Sequence, residues 1–96
     1  MAIRRLSGPA NRLPDQIGEQ TIVVLPLGAT EQHGMHLPLE TDTLIADGLV
    51  DRLIAETPVD VDVIILPTEE VGYSPEHLDH PGTQSLTYSQ ALDRWI

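Results

Sequence analysis

The chain has no cysteine, no lysine and no phenylalanine, and its only aromatic residues are Tyr73, Tyr88 and Trp95. Without cysteine, disulfides and thiolate chemistry are excluded, and a cytoplasmic location is the default expectation. Without lysine, five arginines face fifteen carboxylates, a formal charge of −10. Phosphate contacts need clustered Arg and Lys, and Arg4, Arg5 and Arg12 are too few, so no nucleic acid is expected as a partner. No apolar run approaches the roughly 18 residues that a membrane span requires. The N-terminal MAIRRLSGPANRLP has no apolar stretch behind its arginines, so neither a membrane anchor nor a signal peptide is expected. Apolar residues still make up 41% of the 96, enough for one domain whose core is Leu, Ile, Val and Ala.

What is present falls into alternating strand and helix patterns. Residues 1–20 contain Gly8, Pro9, Pro14 and Gly18 without a sustained period and read as an irregular N-terminal arm, with one helical turn near Pro14–Ile17. Thr21–Leu27, TIVVLPL, is rich in β-branched residues and reads as a strand buried on both faces. Pro26 cannot donate to a ladder, so pairing should fail there on one side. From Thr43 to about Glu56, Ile45, Leu49 and Leu53 form one helical stripe and Ala46, Val50 and Ile54 another. Thr41 or Asp42 is the expected N-cap, and Gly48 implies a close approach of helix to sheet. Val59–Leu66 reads as a second strand, with Asp60 and Asp62 on a wet face, and a further helix starts near Ser85 or Thr87. Strand, helix and strand make a βαβ unit, so the expected class is α/β: the start of a three-layer α/β/α domain with a mainly parallel sheet, apparently truncated.

The chemistry concentrates in Leu25–Asp42, LPLGATEQHGMHLPLETD. Eighteen residues carry Glu31, His33, His36, Glu40 and Asp42 among the bend-formers Pro26, Gly28, Gly34 and Pro38. Glu31 and His33 stand two apart, so on extended backbone both side chains leave on the same side. Two carboxylates and an imidazole suit Zn²⁺ or Mn²⁺. Taken alone, Asp42 is equally an ordinary helix cap and Glu31 an ordinary solvated carboxylate. A second polar block, Pro67–Leu86, holds Glu76, His77, Asp79 and His80. Both blocks follow a strand end, where ligands sit in parallel sheets.

The run GATEQHGMHLPLETDTLIADGL resembles the signature of the creatininase (creatinine amidohydrolase) family, G-[ST/A]-x-E-Q-H-G-x-H-L-P-L-x-T-D-T. The run GYSPEHLDHPGTQSL resembles that family's second block, G-x-S-x-E-H-x-x-F-P-G-T-x-S-L, with His80 where the family usually has an aromatic residue. The resemblance covers residues 20–96 and corresponds to the N-terminal part of a family member. It implies a two-metal centre, Zn or Mn, with Glu31 and His33 each serving one ion, Asp42 bridging, and further ligands downstream. Beside that centre His77 becomes either a group that supports a metal ligand or a substrate-facing, catalytic one, Glu76 a weaker candidate, and His36 stays outside the ligand set. The implied activity is hydrolysis of a non-peptide, cyclic amide C–N bond in a small-molecule substrate, by a homo-oligomer. The alternative is an inactive fragment or a non-catalytic binding or assembly module that retains the family's first half.

Overall fold

The structure, a computed structural model, describes residues 3–6 and 10–96, with the side chains of residues 10 and 11 left aside. Its centre is a three-stranded parallel sheet in the order β1-β3-β2, formed by β1 (Ile3–Arg5), β2 (Ile22–Val24) and β3 (Val63–Ile65). Ile3 and Ile22 both stand opposite Val63, and the register continues in step to Ile65. The helix α1 (Thr41–Glu56) connects β2 to β3, and α2 (Tyr88–Trp95) follows the second polar block. The α/β class and the parallel βαβ unit expected from the patterning are both present.

Several sequence expectations change. The expected irregular arm supplies the edge strand β1 and a 3-10 turn at Ala10–Gln16. Three residues with a single apolar position carry no period of their own, so only pairing with β3 makes them a strand. The strand expected to be buried on both faces is instead the opposite edge: Ile22 is 52% exposed, whereas Val63, Ile64 and Ile65 are at most 4% exposed. Among the described residues, β3 has a neighbour on each side and β2 has one. The alternating aspartates also part company, because Asp60 is exposed while Asp62 is half-buried. Asp62 pairs with Arg4 and accepts a hydrogen bond from Thr21 Oγ1 at 2.6 Å, tying β1 and the start of β2 to β3. Those bonds from Thr21 and Arg4 hold its carboxyl below the usual 3.8.

The core is small. Val50 of α1 packs with Val63 and Ile65, flanked by Ile3, Val24 and Val61. The radius of gyration is 15.6 Å, against about 13 Å for a compact domain of this length. Gly48 has nothing within 4 Å of where a Cβ would stand, so the expected close approach to the sheet is not its role. That approach occurs at Gly28, where a Cβ would lie 2.3 Å from Thr43 Oγ1 and 2.7 Å from Thr43 Cα.

Candidate metal centre

β2 hands the chain to the site through Gly28, whose N–H donates to Glu69 O at 2.8 Å. The absence of a side chain there lets the first turn of α1 close on the segment that follows. Thr43, buried in that turn, donates from Oγ1 to Ala29 O at 3.2 Å. The loop between β2 and α1 is closed by Glu31 N–H donating to Leu39 O at 3.0 Å and Thr41 N–H to Pro38 O at 3.2 Å. The second block is stitched onto it: Gln84 N–H donates to Thr30 O at 2.7 Å, and Gln32 N–H to Thr83 Oγ1 at 3.0 Å. A 3-10 turn at Pro75–His77 then presents His77 toward the first block.

Glu31, His33 and Asp42 converge, with ligand atoms all within 4.8 Å of one another. His33 Nε2 is 3.4 Å from Asp42 Oδ2 and 3.9 Å from Glu31 Oε1. Glu31, Glu76 and His77 form a second such group, His77 Nε2 standing 3.6 Å from Glu31 Oε1 and 3.7 Å from Glu76 Oε1. The imidazoles of His33 and His77 stack with centroids 6.2 Å apart and planes 10° from parallel. The carboxylate common to both groups is Glu31, which is only 12% exposed, whereas the family resemblance implies Asp42 as the bridge.

This donor set fits a divalent ion. His33 Nδ1 lies 3.0 Å from Glu31 O. A carbonyl only accepts, so Nδ1 carries the proton and the neutral ring offers the Nε2 lone pair to the cluster. Zn–N and Zn–O bonds of about 2.0–2.1 Å in tetrahedral geometry require donor–donor separations of about 3.3–3.4 Å. The observed 3.4 Å between His33 and Asp42 matches, and the 3.6 to 3.9 Å pairs need small rotamer shifts. The same carbonyl bond, aided by the charges of Asp42 and Glu31 against some desolvation, raises the His33 pKa above 6.5.

Asp42 does not cap α1. The N-cap is Glu40, without a side-chain cap hydrogen bond, and Asp42 sits in the first turn. Its carboxylate faces His33 instead, where negative charge at a helix N-terminus is still favourable. The structure leaves His36, Glu40 and His80 exposed and outside both groups. Sequence reasoning gave no role to Thr43 and Thr83. Threonines next to the aspartate and after a bend-forming Gly82 were the available signals, but their partners lie on other segments.

Fold and cluster together define a class: a parallel α/β protein with carboxylates and imidazoles gathered beyond the carboxyl ends of its strands. Within that class the chain belongs to the creatininase family, whose model, described as creatinine amidohydrolase, matches residues 10–96. It is 43% identical over 67 residues to the mycofactocin precursor peptide peptidase of Mycolicibacterium smegmatis, covering 68% of this chain and 27% of that protein. The same-named proteins of Mycobacterium tuberculosis and Mycobacterium ulcerans are 40% and 41% identical over 70 residues, 67% of this chain and 28% of theirs. The chain therefore spans about a quarter of the length of these curated relatives. No solved structure matches it significantly.

Proposed function

We propose that this chain carries part of the metal centre of a hydrolase that cleaves amide C–N bonds, with a peptide as the substrate class. The observation that supports it is the convergence of Glu31, His33, Asp42 and His77 from two separate blocks on one face, at separations suited to ligation. The sequence pointed to a cyclic, non-peptide amide, but the relatives' name specifies a precursor peptide, so a peptide amide is the better reading. A homo-oligomer remains an expectation of the family resemblance, and a cytoplasmic location one of the cysteine-free composition and the lack of a signal-like N-terminus; no helix among the described residues is long and apolar enough to cross a membrane.

One or two Zn²⁺ or Mn²⁺ ions bound here would supply Lewis-acid polarisation of the carbonyl and activation of water. The residues prepare that chemistry. The Glu31 carbonyl fixes the His33 tautomer, so Nε2 ligates without a tautomer change. Glu31, held by its N–H to Leu39 O and largely buried, presents one carboxylate toward both imidazoles. His77 reaches Glu31 from the second block, and Glu76, more exposed, stands beside it as a polar group open to solvent.

The test is titration of the metal-free chain with Zn²⁺ and Mn²⁺ by calorimetry, beside Glu31→Ala and His33→Ala. Saturable binding that both substitutions abolish, with far-UV circular dichroism unchanged, is the expected result. A wild-type chain that binds neither ion, or variants that bind as well as wild type, sinks the reading.

A further inference from the structure

His33 and His77 stand on different segments, and three consecutive residues join those segments. Gln84 N–H donates to Thr30 O at 2.7 Å, and Thr83 Oγ1 accepts from Gln32 N–H at 3.0 Å. These two bonds hold the peptide groups on either side of Glu31, the carboxylate that both imidazoles approach. Ser85 Oγ accepts from Ser74 N–H at 2.7 Å and donates to Leu86 O at 2.8 Å, a bond that fixes the hydroxyl with its lone pair toward Ser74. Ser74 is 4% exposed, and its carbonyl accepts from His77 N–H at 3.1 Å. Residues 83–85 therefore grip the Glu31 segment with one hydroxyl and the base of the His77 turn with the other.

The approach to this clasp is as constrained as the clasp itself. Gly82 has φ 89°, and a Cβ there would lie 2.7 Å from Leu39 Cδ1, so only glycine brings the chain this close. Leu39 O in turn accepts from Glu31 N–H at 3.0 Å. Gly28 N–H to Glu69 O and Thr30 Oγ1 to Glu70 O, at 2.8 and 2.7 Å, also link the two blocks, but they meet the second one ahead of the turn that carries His77. Thr83 and Ser85 are half-buried and belong to neither group of ligand atoms. Valine matches threonine in shape but offers no acceptor, so Thr83→Val leaves the Gln32 N–H without its partner.

We propose that Thr83 and Ser85 are positioning residues, whose hydroxyls set the separation of His77 from Glu31 and His33 and so assemble the two ligand groups that share Glu31. The effect on metal affinity rests on the metal-centre reading given above; the geometry does not.

The test follows the nuclear Overhauser cross-peak between the His33 and His77 ring protons in metal-free protein, and then Zn²⁺ affinity by calorimetry. Rings stacked with centroids 6.2 Å apart should give the cross-peak in wild type and in Thr83→Ser, which keeps the acceptor. Thr83→Val and Ser85→Ala should each lose it and bind Zn²⁺ about 10- to 100-fold more weakly, with circular dichroism and β3 amide protection unchanged. In a His77→Ala background, Thr83→Val should cost less than about twofold further, because its effect runs through His77. A merely structural threonine would weaken binding equally in both backgrounds. The proposal is overturned if wild type lacks the cross-peak, if Thr83→Val or Ser85→Ala keeps it, or if the affinity loss persists in full beside His77→Ala. Should Thr83→Val unfold, Ser85→Ala carries the decision. A wild-type chain that binds no Zn²⁺ sinks the metal-centre reading, while the cross-peak alone still decides the clasp.

Discussion

The two ends of the β2–α1 contact differ sharply. At the start of α1 the packing is closed: Gly28 lies against Thr43, Thr43 bonds to Ala29 O, and the loop between them presents Glu31 and His33 to Asp42. Along the rest of the helix the flank is open, with Ile45 and Leu49 exposed and empty space beside Gly48. Tight packing is concentrated where Glu31, His33 and Asp42 converge. The open flank contributes little to the core and leaves Ile45 and Leu49 in solvent.

The largest expected effect comes from breaking the closed end. Gly28→Ala must push Thr43 and the first turn of α1 away from the loop, an overpacking cost of about 3 kcal/mol. Chemical denaturation should show that loss, together with weakened metal binding. Asp42→Ala separates ligation from helix stability, since Asp42 is not the cap. Metal affinity should fall by more than about 100-fold by calorimetry, beyond the loss typical of a group that only orients a ligand, while thermal unfolding changes by no more than about 0.5 kcal/mol.

The open flank should respond in the opposite sense. Gly48→Ala meets no neighbour and replaces a poor helix former, so it should stabilise the chain by about 0.5 to 1 kcal/mol in the same denaturation experiment. An unchanged or lower stability would mean that this flank is covered in solution.

The smallest effect is a titration. In metal-free protein the His33 pKa lies above 6.5, chiefly through the Glu31 carbonyl and then the Asp42 charge. A raised pKa means that the charged imidazole contributes stability fully below pH 6.5 and that this contribution is lost as pH rises through the folded value. NMR titration should find that value above 6.5, and Asp42→Asn should lower it. Because protons and metal compete for Nε2, metal binding should weaken on the acid side.

Much of the candidate site was legible because its residues are adjacent in sequence. Glu31 and His33 are two apart on a loop bounded by Pro and Gly, and a short run to the first turn of α1 brings Asp42 back to them. His77 was legible only as part of a matching block; its 3.6 Å approach to Glu31 depends on Thr30–Gln84 and Gln32–Thr83 contacts that join segments about fifty residues apart. Asp42 read as a cap because a carboxylate at a helix start has two uses with the same sequence signature, and only the position of His33 separates them.

The α/β class, the βαβ order and the candidate cluster of Glu31, His33 and Asp42 could be read from the chain alone, since each rests on local periodicity or short spacing. The tertiary structure decided that Ile3–Arg5 is a strand, that β2 is an edge, and that Glu31 is the carboxylate shared between two imidazoles. Those outcomes depend on which strand takes the middle of the sheet and how two distant loops hydrogen-bond, and neither leaves a period in the chain.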